Sequence, residues 1–251
     1  VIVHHAPIGS FDELADDYDR YRSGYATELY DAIFDYGLAR GAHVVDVASG
    51  TGLVAAELVA RGCSVVGVDI SAAMGCKARE RVPGGSFVLG RAEELPFDDD
   101  SFDAGTCAQS FHWFDQTRAL EEMLRVVRPG GVIAVWWKGF MRGDAIRHLR
   151  DEAANEIGLP PTDDLLTKEF ATFDRAPLED QVLRVVPWIT QMTVAGFLGY
   201  ERSRARARHA YGEKLEAYFE ALAARLGDPH AELALSYIQL LYLGRVPRQR
   251  D

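Results

Sequence analysis

"HVVDVASGTGLVAAELVARGCSVVGVDIS", residues 43–71, decides the fold of this chain. An apolar run closes on Asp46, a turn containing Gly50 and Gly52 follows, and a second apolar run closes on Asp69. Neither run alternates with polar residues, so each reads as a strand buried on both faces of a parallel sheet. Between them, "GLVAAELVARG" reads as a crossover helix stopped by Gly62. In open sheets built from such units, ligands bind at the carboxyl ends of the strands.

The alternation spreads outward from this unit. Ser71 reads as the N-cap of a helix over "SAAMGCKARERV", which "PGG" breaks. "SFVLGRA" is a third strand, "DSFDAGTCAQS" holds a fourth, and Asp115 caps a helix over "QTRALEEMLRVV". "RPGG" turns the chain into a fifth strand, "VIAVWWK", where Trp136 and Trp137 point to opposite faces, one to the core and one to the pocket. Upstream, "FDELADDYDRYRSGY" carries Phe11, Leu14, Tyr18, Tyr21 and Tyr25 at helical spacing, and a second helix covers 27–38. Downstream, the pattern predicts a helix over 142–158 closed by Pro160 and Pro161, then loop and short helix over 162–177. A sixth strand in "DQVLRVVPW", helices in "TVAGFLGYERS" and "YGEKLEAYFEALAARLGDP", and a seventh strand in "ALSYIQLLYLGRV" complete it. The expected fold class is α/β, a doubly wound, seven-stranded, mostly parallel sheet in one domain over 1–251. Its expected parts are a helical lid over 1–40, a ligand-binding core over 41–140, and a cap insertion with the last strands over 141–251.

Composition narrows the function. The 251 residues are 48% hydrophobic and 26% charged, a globular mix. No apolar run approaches the roughly 20 residues of a membrane span, and no secretory signal is visible. The net charge of −11 argues against nucleic acid, whose binding rests on clustered Lys and Arg. The one basic cluster, "RSRARAR" at 202–208, reads as a solvated face. Cys63, Cys76 and Cys107 form no CxxC, and no HxxxH or Cys/His pair suggests a metal. The expectation is a cytoplasmic protein with reduced thiols, a monomer or homodimer, without metal, membrane or nucleic-acid partner. The excess of Arg over Lys suggests a GC-rich bacterial source.

Two ligands suit the glycine turn. Gly50, Gly52 and Ala55 match the dinucleotide pattern G-x-G-x-x-A, with Asp69 at a distance suited to a ribose. However, Asp46 stands just before the turn, where a pyrophosphate would meet a negative charge. S-adenosylmethionine (SAM) has no phosphate. Its ammonium suits Asp46, its diol suits two acceptors on Asp69, and glycines admit close backbone approach.

"VVDVASGTG", "VVGVDIS", "GRAEELPFDDDSFDAGTCAQSFHWFD" and "RVVRPGG" together resemble the class I SAM-dependent methyltransferases of the small-molecule type 11 group. The stretch "AEELPF…SFD…QSFHWFD" is more specifically similar to the trans-aconitate methyltransferase-like set. The likeness covers about residues 11–140. It implies SAM as methyl donor and S-adenosylhomocysteine as product. It implies that Asp69 binds the ribose, Ile70 packs on the adenine, and Ala92 and Glu93 edge that ring. It places Gln109 under the methionine portion, and Tyr18 and Arg22 in a lid, Arg22 reaching the methionine carboxylate. Two positions depart from the pattern. Ala48 replaces the first glycine of G-x-G-x-G, tolerable unless that residue needs positive φ, and Arg91 stands where many relatives have an acid.

His112, just past the fourth strand, is the candidate general base. Trp113 and Trp137 are candidate acceptor-binding residues, with Trp188 open to the same reading. A sulfonium methyl needs in-line placement of a nucleophile more than it needs acid or base help, and a carboxylate acceptor needs no base. The expected reaction is methyl transfer to a small molecule, on a carboxylate or hydroxyl oxygen. A non-catalytic SAM-binding protein, a SAM-assisted non-methylating enzyme and an NAD-dependent oxidoreductase are the alternatives.

Overall fold

The computed structural model describes residues 11–160 and 171–249. Pro161, residues 162–170 of the expected loop, and residues 1–10 of the expected lid lie outside the described residues. Two helices open the chain, α1 (Ala15–Tyr21) and α2 (Thr27–Tyr36). Then come β1 (His43–Val47), α3 (Leu53–Ala60), β2 (Ser64–Asp69), α4 (Ala72–Arg81), β3 (Ser86–Leu89), β4 (Phe102–Ala108), α5 (Gln116–Val126) and β5 (Val127–Phe140). The remainder is α6 (Ala145–Glu156), α7 (Ala171–Asp174), β6 (Glu179–Thr193), α8 (Val194–Arg202), α9 (Ala205–Tyr211), α10 (Leu215–Leu226) and β7 (Glu232–Arg245).

The seven strands form one sheet in the order β3-β2-β1-β4-β5-β7-β6. The first five strands pair in parallel, and β7 runs antiparallel between β5 and β6. This is the α/β sheet the sequence predicted. The switch in strand order falls at β1 and β4, so the tips of β1, β2 and β4 open onto one crevice. The caps are those expected. Ser71 Oγ accepts from Met74 N, and Asp115 Oδ1 accepts from Arg118 N, each worth about 1 kcal/mol.

Each sheet face has its own core. Val44, Trp136 and Leu241 pack with Leu29, Tyr30 and Ile33 of α2 and Leu58 of α3. Val45, Val135 and Trp137 pack on the other face with Leu120 and Met123 of α5 and with Phe173. A third cluster unites α6, α8, α9 and α10 with Phe140 and Tyr237. Inside it, the buried Glu201 carboxylate accepts from Arg150 at 3.1 Å and from Arg204 at 3.0 Å. Burial works against that charge, but the two guanidinium groups outweigh it and hold Glu201 below the ordinary carboxylate range.

The structure differs from the expectation at several elements: α1 covers only Ala15–Tyr21 of the stretch 11–25, and α9 was not expected. "RPGG" does not precede β5 but lies within it. Phe102 pairs with Val127 and Ala104 with Val132, so the extra residues bulge out, and Gly130 and Gly131 bond the backbone of Val246. A Cβ on Gly131 would lie 2.7 Å from the Asp103 carbonyl oxygen, which is why glycine stands there. Strand β6 is longer than predicted and sits at the sheet edge, with Leu183, Val185 and Ile189 exposed and Pro187 among them. The basic cluster is not one solvated face. Arg202 pairs with Glu216 at 2.8 Å, whereas Arg204 turns inward to Glu201.

Candidate active site

Two cavities open at the strand tips and share a neck. The first is a groove of about 1110 Å³, lined by the loop after β1 (Ala48, Gly50), the tip of β2 (Val68, Asp69, Ile70), residues 90–93, and the aromatics Phe11, Tyr18, Trp113 and Phe114. The second is a chamber of about 880 Å³ on the β4–β5–β7 side. Arg22, Gln109, His112, Trp137, Lys138, Tyr200, Ser203, Arg204 and Tyr237 are among its lining residues. Phe11, Tyr18, Ser110 and Trp113 belong to both walls and form the neck.

Asp69 organises the groove. Its Oδ2 accepts from Gly50 N at 2.8 Å and its Oδ1 from Ser71 N at 2.9 Å, tying the β1 turn to the β2 tip. Burial raises its pKa, and the backbone N–H bonds from Ser71, Gly50 and Ile70 pull it back. Ionised carboxylate oxygens accept more than one bond each, so Asp69 retains capacity toward a ligand in the groove. Ile70 is 37% exposed, an apolar side chain left open on the groove wall.

Asp46 lies beneath the turn and outside the groove lining. It is 1% exposed; Oδ1 accepts from Thr106 Oγ1 at 2.8 Å, and Oδ2 has no partner. Burial pushes its carboxyl up to about 7, with Thr106 opposing and Asp69 adding to the rise.

The turn itself answers the question posed by Ala48. Its φ is 55°, in the left-handed region, where a Cβ costs about 1–2 kcal/mol relative to glycine. Alanine is therefore strained here, not merely a small change. Gly52, at φ 77°, acts for a different reason than close ligand approach. A Cβ there would meet Ala78 Cβ at 3.1 Å, so Gly52 seats α3 against α4.

Gln109 belongs to the chamber and not to the groove. At φ 58° its side-chain amide donates to Lys138 O at 2.9 Å and accepts from Lys138 N at 3.0 Å. It extends the β4–β5 ladder by one rung and starts the turn that carries Ser110, His112 and Trp113. Trp137 points to this chamber and Trp136 to the opposite core, the split the alternation predicted. Trp137 Nε1 donates to His112 Nδ1 at 3.4 Å, so the neutral ring that accepts there carries its proton on Nε2. Glu93 accepts from Asp115 N at 3.1 Å and pairs with Arg91 at 3.5 Å, both on the groove wall. Trp188 stacks on Tyr237 behind the chamber and is not among its lining residues.

Arg22 lines the chamber with its guanidinium over the rings of Tyr18 and Tyr200. Its Nε donates to Ser203 Oγ at 2.9 Å, joining the end of α1 to the end of α8. Lys138 is partly buried among Tyr25, Trp188, Tyr200 and Tyr237. Burial first and Arg22 second push its ammonium down to about 7. Lys138, Arg204, Tyr200 and Tyr237 were missed by sequence reading. Lys138 had a signal, a cation ending an apolar strand; Tyr200 and Tyr237 reach the chamber only through the cap packing. Among the described residues no cluster of His, Cys, Asp and Glu is grouped to hold a metal ion, and no helix is long and apolar enough to cross a membrane.

The family model described as a methyltransferase domain matches residues 45–135. An uncharacterised methyltransferase of Mycobacterium tuberculosis is 33% identical over 204 residues, covering 78% of this chain and 76% of the relative. The chain therefore belongs to the methyltransferase family. A demethylmenaquinone methyltransferase of Beutenbergia cavernae is 37% identical over 140 residues, 52% of this chain and 57% of that protein. Among solved structures, a protein assigned as a type II methyltransferase from Anaeromyxobacter dehalogenans superposes with a TM-score of 0.70 at 24% identity. The match covers 91% of this chain and all of that one, and speaks for the fold.

Proposed function

We propose that the groove holds SAM and that the chamber receives a small anionic acceptor, methylated on a carboxylate oxygen. The carrying observation is the chamber's charge: Arg22 and Arg204 line it, and no Asp or Glu does among the described residues. An anion entering from water meets donors already desolvated there. The similarity to the trans-aconitate methyltransferase-like set points the same way.

The residues fit the donor. The buried, unpartnered Oδ2 of Asp46 offers a negative site under the turn for the SAM ammonium, through the field or a bridging water. Asp69 accepts the ribose hydroxyls, Ile70 and Ala92 flank the adenine, and Glu93 stands at its edge. Ala48, Gly50 and Gly52 shape the turn; Tyr18 covers it, and Arg22 reaches toward the methionine carboxylate from the chamber side. When bound, SAM supplies an electrophilic methyl. The chain's own work is to orient the acceptor across the neck and to exclude water, which Tyr18, Trp113 and Trp137 do by packing. His112 acts as a donor from Nε2 that orients the acceptor, since its Nδ1 is engaged by Trp137; a carboxylate nucleophile needs no base. Gln109 supports the chamber wall. A buried carboxylate under the turn disfavours a pyrophosphate, and with it NAD.

A second reading comes from the likeness to demethylmenaquinone methyltransferase, with Trp113, Trp137 and Phe140 as a wall for a flat ring. The test is a mass-resolved methylation assay on small carboxylic acids, their amide and alcohol analogues, and a naphthoquinol. A gain of one methyl on acids, removed by mild alkali as an ester is, supports the proposal. Turnover confined to the neutral acceptors or the quinol overturns it.

A further inference from the structure

We infer that Lys138 is a positioning residue that latches the joint between α1 and α2 to the sheet and so sets Arg22 against the site. The inference rests on the reading that Arg22 faces the bound ligands.

The geometry is local and complete. Lys138 Nζ donates to Ser23 Oγ at 3.0 Å, to Gly24 O at 3.2 Å and to Ser23 O at 3.4 Å. An ammonium has three protons, and three acceptors on two adjacent residues meet them. Four rings, those of Tyr25, Trp188, Tyr200 and Tyr237, enclose the same nitrogen at 4.9–5.9 Å, and it makes no ion pair to a carboxylate among the described residues. A cation held in an aromatic cage by two carbonyl oxygens and a hydroxyl is a costly side chain to place within a strand. An apolar side chain there would be simpler if packing alone were required.

The placement says what the cost serves. Ser23 and Gly24 follow Arg22, the residue that closes α1, and precede α2. No internal ladder holds 22–25, which has neither helical nor strand structure. Helix α1 is short and its N-cap Leu14 makes no side-chain capping bond, so it depends on tertiary anchors. Three are on its C-terminal side: Arg81 to Asp19, from α4, Arg22 to Ser203, from the cap, and Lys138 to Ser23 and Gly24, from the sheet. Gln109 holds the Lys138 backbone on both sides, so the latch starts from a fixed point. Losing the latch therefore leaves the sheet intact and frees the joint, with Tyr18 and Arg22 on the mobile side.

The test uses the whole chain with Lys138→Met, which keeps the stem without the charge, and Ser23→Ala, which removes one acceptor and leaves the cage untouched. Hydrogen–deuterium exchange of the peptide over 16–26 should accelerate in both variants, more in Lys138→Met, with the strand peptides unchanged. The Kd for SAM, read by calorimetry, should rise about tenfold in Lys138→Met, as for loss of hydrogen bonds to a charged group. The double variant Arg22→Ala/Lys138→Met should bind SAM no more weakly than Arg22→Ala alone. If the exchange of 16–26 does not change in either variant, or if the two substitutions add in full, the latch is refuted. Should Lys138→Met fail to fold, Ser23→Ala decides alone by the same exchange. Exchange is read without ligand, so a wild type that binds no SAM would sink the proposed function and leave this inference standing on its own measurement.

Discussion

Asp46 concentrates the conflict between stability and ligand binding in one side chain. Its carboxyl is buried, half-satisfied, and pushed from 3.8 to about 7. A group whose folded pKa is raised stabilises the protein fully below its unfolded pKa and loses that contribution as pH rises through the folded value. The ligand-free protein should thus lose stability between pH 4 and pH 7, by about 4 kcal/mol on account of this group. Urea denaturation of Asp46→Asn should show that part of the slope removed; an unaltered slope would mean that Asp46 is ionised in the folded protein throughout. A bound ammonium should draw the carboxyl down again. SAM binding near pH 6.5 should then release a proton, seen as calorimetric heat that varies with buffer ionisation enthalpy and vanishes in Asp46→Asn. Ala48 shows the same economy: the strand tip keeps a left-handed backbone at a cost that glycine would avoid.

At the scale of elements, the contact of α1 with α8 ties the helix that carries Tyr18 to the cap. Gly199 lies on α8, and a Cβ there would fall 2.5 Å from the Tyr21 ring of α1. In an isolated helix, Gly→Ala gains about 1 kcal/mol, so Gly199→Ala should fold. The methyl must push Tyr21, and α1 with it, off the cap. The expected result is an unchanged or lower Tm, overpacking offsetting the helix gain, with SAM affinity weaker by about 1 kcal/mol, roughly fivefold in Kd. Wild-type affinity by calorimetry would detach α1 from the binding site. This contact also marks where sequence reading stops. Strands β1, β2 and β4 were legible because each largely buried run carries its stop signal within a few residues, and the caps Ser71 and Asp115 sit where their helices begin. The positions of Asp69 and Ile70 on the groove wall were legible for the same reason, being fixed to a strand tip. Gln109 lines the chamber rather than the groove, and its amide is claimed by Lys138, a partner that only the β4–β5 pairing brings near. Helix α9, the inward turn of Arg204 and the chamber wall of Tyr200 and Tyr237 depend on packing between segments far apart in the chain, which no local period records.

Taken whole, the chamber joins three parts of the chain, namely the sheet through Trp137 and Lys138, the opening helix through Tyr18 and Arg22, and the cap through Tyr200 and Arg204. A ligand spanning the neck therefore binds only when all three are assembled, and its binding energy adds to the stability of the assembled form rather than to one element. Linkage sets the size: a ligand at 100 times its Kd stabilises by about 2.7 kcal/mol. For a chain of this length that is about 5–10 °C in Tm. S-adenosylhomocysteine should give such a shift, rising with the logarithm of its concentration, and NADH at equal concentration should give none. Because Asp69 ties the β1 turn to the β2 tip, Asp69→Ala should reduce the shift as well as lower the starting Tm. Arg204→Ala should lower the starting Tm by breaking the Glu201 pair, yet leave the shift intact, since Arg204 lines the chamber and not the groove. A shift with NADH and none with the thioether, measured by differential scanning fluorimetry on the same samples, would reject the groove as a SAM site.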